Sequence, residues 1–398
     1  MRRSPLLDRP GASPNAEGDP DELVPAHYGD PLREQGLLES GAGVTALARD
    51  VVAVTGPDRL SWLTTLSSQA LTGLTPDDGG VETLLLDARG RISHALAALD
   101  DAETLWLVTE AGRGPALVEF LERMRFMLRV EVSVRDDVAV VAALGEGLER
   151  LETAISASPA VCLGVWRDPW PGVVEGGTSY DVGLTRAHPG SNYRAGFALI
   201  AEDALVAVVD AFLAVAPERG LAGSSAWEAL RVEAGRPRWA READERAIPH
   251  ELDWLRTAVH LTKGCYPGQE TVARTLNLGK PPRRLAILQL DGLAGALPEP
   301  GAVVRLGERA AGVATSVVRH HDLGPMALAL LRRGVPADAA LAVEVAESTE
   351  GAENTESDGP AVLTRVDAAQ EVLVSPEGRA QASPAERPGA GLRKSLLH

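Results

Sequence analysis

The sequence predicts an α+β protein with antiparallel sheets, followed by a small β-barrel, and three observations carry that reading. Short β-rich runs alternate with amphipathic helices from about residue 50 to residue 240. From Arg284 the texture changes to short strands with glycine-rich turns and no helix pattern. No apolar run approaches the roughly 18–20 residues that a membrane span requires.

The elements follow in order. Residues 1–40 lack an apolar signal core and carry several acids, which reads as a flexible leader. Residues 51–54 make a short strand, Gly56-Pro57-Asp58 a turn, and Leu60, Leu63 and Leu66 the apolar stripe of a helix. The runs VETLLLD (81–87), ISHALAAL (92–99) and TLWLVT (104–109) read as strands separated by turns. A helix over 114–127 places Leu117, Phe120, Leu121 and Met124 on one face, and strands follow near 129–135 and 138–143. Helices are expected at 145–156, 202–215 and 225–235, with strands at 161–166 and 195–200. Residues 41–283 thus form an α+β region of two interleaved subdomains, and 284–374 the barrel. The acidic, nearly apolar-free stretch 346–360 reads as a disordered insertion, and 375–398 as a tail.

Composition limits the chemistry. A net charge of −17 argues against general binding to nucleic-acid backbones, so any anion site must be local. The two cysteines, Cys162 and Cys265, suit a reducing compartment such as the cytoplasm and are too few for an iron–sulfur cluster. The eight histidines lack the spacing of a structural zinc site, and the adjacent pair His320–His321 is expected to point its rings apart. No metal site is expected.

One stretch departs from this background. KGCYPGQETVARTLNLGKPPRR (263–284) holds one of the two cysteines and two of the three lysines, with five cations against the single carboxylate of Glu270. Gly264 permits a turn or a close approach, Pro267-Gly268 a second turn, and Gln269–Arg274 a short helix. Cys265 is then expected at a helix N-terminus beside Lys263, where a thiolate is stabilised and the lysine can activate the sulfur. Lys263, Lys280, Arg283 and Arg284 are expected to form an anion-binding rim. An unselected cysteine is more often a small buried hydrophobe. The coincidence of the thiol with glycines and cations in a lysine-poor chain carries the functional reading.

KGCYPGQE, followed by VAR and GKPPRRL, resembles the signature of the YgfZ family of folate-binding proteins, which is related to the aminomethyltransferase (T-protein) of glycine cleavage. LRVEAGRPRW (230–239), IPHELDWL (248–255), VTGPDRLSWLTTLSSQALTGL (54–74) and LLLDARGRI (84–92) are similar to family segments too. The resemblance spans roughly residues 40–345. It implies a multi-domain, T-protein-like fold around a central opening that holds tetrahydrofolate. It also implies an accessory role toward iron–sulfur enzymes or their assembly factors, tRNA-modifying enzymes included.

On that resemblance Cys265 is the functional thiol with Lys263 beside it. Gly264, Tyr266, Gly268, Gln269, Glu270, Arg274, Arg231 and Glu233 are the residues expected at the cofactor. Trp62, Trp227, Trp239 and Trp254 are candidate walls for a pteridine, with Glu251 a further polar candidate. Glu270 and Arg274, four residues apart on a helix, also suit a simple ion pair. Two rival functions are a folate-dependent aminomethyltransferase and a thiol or persulfide carrier using Cys265. In the transferases a catalytic aspartate follows the glycine turn; here GRISHALAA (90–98) puts His94 and Ala95 where the acidic pair would stand. That substitution argues against aminomethyl transfer.

Overall fold

The structure, a computed structural model, describes residues 2–76, 78–182, 184, 186–279, 281–294, 297–346 and 363–384. The chain begins with a short pair, β1 (Ser13–Pro14) and β2 (Pro25–His27), and then helix α1 (Pro31–Glu39). Strands β3 (Gly43–Leu47) and β4 (Arg49–Thr55) lead into α2 (Arg59–Leu66). Next come β5 (Val81–Leu86), β6 (Ile92–Asp100), β7 (Thr104–Glu110), α3 (Gly114–Arg125), β8 (Glu131–Val134) and β9 (Val138–Leu144). They are followed by α4 (Glu146–Ser156), β10 (Cys162–Arg167), β11 (Ala195–Ala201), α5 (Leu205–Ala214), β12 (Gly220–Leu221) and α6 (Ser224–Glu233). The helices α7 (Trp239–Glu242) and α8 (Gln269–Leu278) flank the cysteine loop.

These strands form two five-stranded sheets, ordered β10-β11-β9-β3-β12 and β5-β6-β7-β4-β8. All pairings in them are antiparallel except β12 with β3. The chain passes from one sheet to the other at Ala48, between β3 and β4, and again between β8 and β9. This is why the sequence reads as two interleaved units. Each sheet buries its outer face under helices: α4 and α5 supply Leu148, Leu151, Ile155, Val208 and Phe212 to one core. The helices α2 and α3 supply Trp62, Leu63, Leu66, Leu117 and Leu121 to another. A third core gathers residues from both sheets and from the 227–276 segment, with Trp166, Trp227, Trp254 and Tyr266 among them.

The C-terminal unit closes into a six-stranded barrel of β13 (Arg283–Leu290), β14 (Val303–Leu306), β15 (Arg309–His320), β16 (Gly324–Arg332), β17 (Leu341–Ala346) and β18 (Leu363–Val372). Strand β17, LAVEVA, was not expected from the sequence. It pairs with β18 across its whole length and completes the closure. Most of the acidic stretch 346–360 lies outside the described residues.

Two expectations are corrected here. The leader is packed, not flexible: Leu6 and Val24 are fully buried among α4 and α5, and Asn15 bonds the Val24 carbonyl and the Ser224 hydroxyl. Asp21 reaches the buried guanidinium of Arg238 at 2.5 Å. A few apolar side chains and one ion pair, more than 200 positions apart in sequence, do what local composition could not announce. The start of the tail packs as well, with Ser383 Oγ donating to the Leu276 carbonyl and Ala380 buried. The second correction concerns His320 and His321. Strand β15 ends at His320 and the chain turns there, so the two rings meet with centroids 4.7 Å apart.

Candidate functional site

Two features are candidates, the cysteine loop and a cavity between the sheets, and the segment 254–263 joins them. Cys265 is a free, solvent-exposed thiol. Gly268, at φ +82°, brings the loop against the 87–90 turn. A Cβ at Gly268 would lie 2.7 Å from the Asp87 carbonyl oxygen and 2.9 Å from the Gly90 Cα, so only glycine fits this junction. Gln269 does not reach outward; its Nε2 bonds the Lys263 carbonyl at 3.4 Å and closes its own loop. Tyr266 is buried, which raises its hydroxyl to about 12.

Lys263 has a different task from the one its sequence neighbours suggest. Its ammonium donates to the carbonyls of Thr64, Ser67 and Gln69 and sits 4.8 Å from the centre of the Tyr266 ring. Burial pushes it down to about 8. It therefore ties the cysteine loop to the turn after α2 and is not directed at an anion. Lys263→Met should leave those carbonyls unpaired, cost about 1–3 kcal/mol, and raise amide exchange across 64–69 and the loop, read by hydrogen-exchange mass spectrometry.

The expected cationic rim is dispersed among the described residues. Arg283 is bound by Asp244 and Glu251, and its pKa is raised by these two partners against the effect of burial. Glu251, proposed from sequence as a pocket group, is fully buried in this pairing. Arg284 points into the barrel end, where it bonds the Val335 carbonyl and Gln370, and burial lowers it to about 10. Arg274 pairs with Glu270 at 2.8 Å on the exposed face of α8. Lys280 lies outside the described residues. Gly264 has open space around it.

The cavity lies between the inner faces of the two sheets, with a volume of about 110 Å³. Trp227, Trp239 and Trp254 line it together with Trp166, Tyr193 and Phe197. Three of the four tryptophans singled out from sequence therefore come together. Trp62 does not, because it lies on α2 and packs against the outer face of the second sheet.

Arg231 apart, the polar groups of the cavity were missed by sequence reasoning. Glu82 accepts from Trp254 Nε1 at 2.9 Å and Thr257 Oγ1 at 2.5 Å, and pairs with Arg236 at 2.7 Å. Arg236 also bonds Asp168 at 2.9 Å, while its Nη1 is buried without a hydrogen-bond partner. Burial lifts Asp168 to about 6 despite that guanidinium. The one available signal was Arg236 and Arg238 in the GRPRW segment; their acidic partners are far away in sequence.

Arg231 and Glu233 separate. Arg231 is buried at the cavity edge, bonded to Glu228, Glu242 and Ser316 Oγ. Glu233 lies on another face of α6, 3.3 Å from His320. On β6 the alternation puts Ala95 and Ala97 on the cavity wall. His94 is buried and stays neutral, lowered to about 4 by burial and by Arg113. The strand that would carry an acidic pair thus offers the cavity methyl groups.

Fold and cavity define the class: a chain of the T-protein-like fold with an aromatic-walled cavity between its sheets and an exposed cysteine in the loop before α8. The solved aminomethyltransferase T of Bartonella henselae superposes with a TM-score of 0.67 at 19% identity, covering 94% of this chain and 97% of that one. Among proteins of known sequence, the tRNA-modifying protein YgfZ of Edwardsiella ictaluri is 27% identical over 300 residues, 73% of this chain and 85% of that protein. YgfZ of Klebsiella pneumoniae is also 27% identical, over 260 residues, 64% of this chain and 73% of that protein. A chloroplastic protein of Arabidopsis thaliana is 38% identical over 98 residues, and the match spans 21% of that protein. No family model matches the chain. The chain is a relative of the YgfZ proteins, built on the aminomethyltransferase fold.

Proposed function

We propose that this protein is a folate-binding accessory factor for the assembly or repair of iron–sulfur enzymes, tRNA-modifying enzymes among them. Tetrahydrofolate occupies the central cavity, and Cys265 acts as the functional thiol. The cavity itself is the observation that carries the reading. Aromatic walls suit the faces of a pteridine, and carboxylates suit the amino and ring N–H groups at its edge. Glu82 and Asp168 are those carboxylates, and Arg236 Nη1 offers a buried donor with no protein acceptor. A volume of about 110 Å³ suits the ring head of the ligand, with its glutamate tail outside the cavity. The folate supplies a one-carbon carrier; the chain's own residues bind and orient its head and keep it from water.

Aminomethyl transfer is the weaker reading, because Ala95 and Ala97 occupy the wall where β6 would have to present its acid. The exposed thiol needs a reducing compartment, and the cytoplasm meets that requirement. The clients are iron–sulfur enzymes or their assembly factors.

The test is complementation of a bacterial strain that lacks its own YgfZ relative. The chain should restore iron–sulfur-dependent tRNA modification, and a Cys265→Ser variant expressed to the same level should restore less than about a tenth of it. Equal rescue by the variant would remove the thiol from the mechanism. No rescue by the folded wild-type chain would remove the iron–sulfur role.

A further inference from the structure

The junction where α1, α6 and the barrel meet holds a second cluster of ligating groups, outside the folate cavity. Glu39 ends α1, Glu233 ends α6, and His320 ends β15 with His321 after it. One donor atom each from Glu39, His320 and His321 lies within 4.8 Å of the other two. His321 Nε2 is 2.7 Å from Glu39 Oε2, and His320 Nε2 is 3.3 Å from Glu233 Oε2. Both nitrogens are buried, and neither carboxylate meets its nitrogen at a hydrogen-bonding angle. His320 is 3% exposed, so its nitrogen is turned inward at the junction.

The histidine pair is held by α1. Gln35 Nε2 donates to the Arg319 carbonyl at 3.0 Å, and Gln35 Oε1 accepts the His321 amide at 2.8 Å. One side chain therefore brackets the backbone of the pair and turns both rings toward the carboxylates. Asp322, at 3.5 Å from His321 Nδ1, supports that ring from the other side.

We propose that Glu39, His320 and His321, with Glu233 as fourth donor, bind one zinc ion that pins the barrel to α1 and α6. Two imidazoles with carboxylates favour a borderline cation such as zinc over calcium or magnesium, which take oxygen sets. Zinc bonds of about 2.0–2.1 Å place tetrahedral ligand atoms about 3.4 Å apart. The Glu39, His320 and His321 donors lie within 4.8 Å of one another, so small side-chain rotations bring them to that spacing, while Glu233, now 3.3 Å from His320 alone, swings in as the fourth donor.

Ligation has one structural consequence. His320 Nδ1 accepts the amides of Asp322 and Leu323, both at 3.2 Å, which leaves the ring proton on Nε2. Zinc on Nε2 moves that proton to Nδ1, so the two amide bonds open and the 320–323 turn shifts. The site is therefore weaker than a preorganised structural zinc site, and acid releases the metal because the ligands must be deprotonated.

The full chain should be titrated with zinc sulfate against a chromophoric chelator, beside His321→Ala and Glu39→Gln. Both substitutions fall on partly exposed side chains, and circular dichroism checks that the variants fold. The wild type should bind one zinc, each variant should bind at least about tenfold more weakly, and zinc should raise amide exchange at Asp322 and Leu323. Absence of zinc binding by the wild type, undiminished binding by His321→Ala, or zinc binding that leaves those two amides unchanged would each overturn the proposal.

Discussion

Arg238→Met should lower the unfolding free energy by about 3–5 kcal/mol, the loss expected when a buried ion network is broken on one side. Arg238 is 5% exposed and bonds Asp21, Glu110 and Glu228, which come from the N-terminal segment, the second sheet and α6. Without the guanidinium these carboxylates stay buried beside fewer cations. Arg274→Ala, which breaks an exposed pair on α8, should leave stability unchanged and serves as the control. Urea titrations of the three proteins make the comparison.

The same network sets an acid limit. Burial alone would raise Glu110, but Arg238 and Arg49 hold its carboxyl down at about 2. A folded-state value below the unfolded value of about 4.3 contributes stability that is complete above pH ~4.3 and is lost as pH falls through about 2. Asp168 acts in the opposite direction: raised to about 6 by burial, its contribution is present below about pH 3.9 and is lost as pH rises through about 6. Urea midpoints of the wild type should fall steeply between pH 4 and pH 2, and Arg238→Met should flatten that slope.

Ala95→Phe should abolish tetrahydrofolate binding, by at least a hundredfold in affinity, while the protein remains folded. Ala95 projects into the cavity from β6, so a phenyl ring there takes the space assigned to the pteridine. Overpacking of this kind costs about 1–3 kcal/mol, less than the loss at Arg238. Tryptophan fluorescence provides the readout, since Trp227, Trp239 and Trp254 line the same cavity. Unchanged folate affinity in the variant would place the ligand elsewhere.

Local patterns in the sequence disclosed what local forces determine. The apolar stripe of 114–127 and the alternation at 92–99 became α3 and β6 because each element buries one face on a sheet. The change of texture after Arg284 became a barrel for the same reason. The tryptophans of LRVEAGRPRW and IPHELDWL lay near one another because the intervening chain is short and turns back on the cavity.

Charge was less legible than hydrophobicity. Lys263, Arg283 and Arg284 read as an anion rim because counting cations ignores partners that only folding supplies. Lys263 finds carbonyls almost 200 residues away, and Arg283 finds Glu251 and Asp244. Glu82 and Asp168 gave no signal, as isolated acids in ordinary segments. The His320–His321 pair misled for another reason: regular strand geometry would splay the rings, but the strand ends between them.

Calorimetric titration of the purified chain with tetrahydrofolate, beside Cys265→Ser, tests the central claim most directly. The account predicts saturable one-to-one binding in both proteins, because the cavity holds the ligand and the exposed thiol acts after binding. Absence of binding in a folded wild-type chain would contradict the folate site and leave the Cys265 loop to be explained as a thiol carrier.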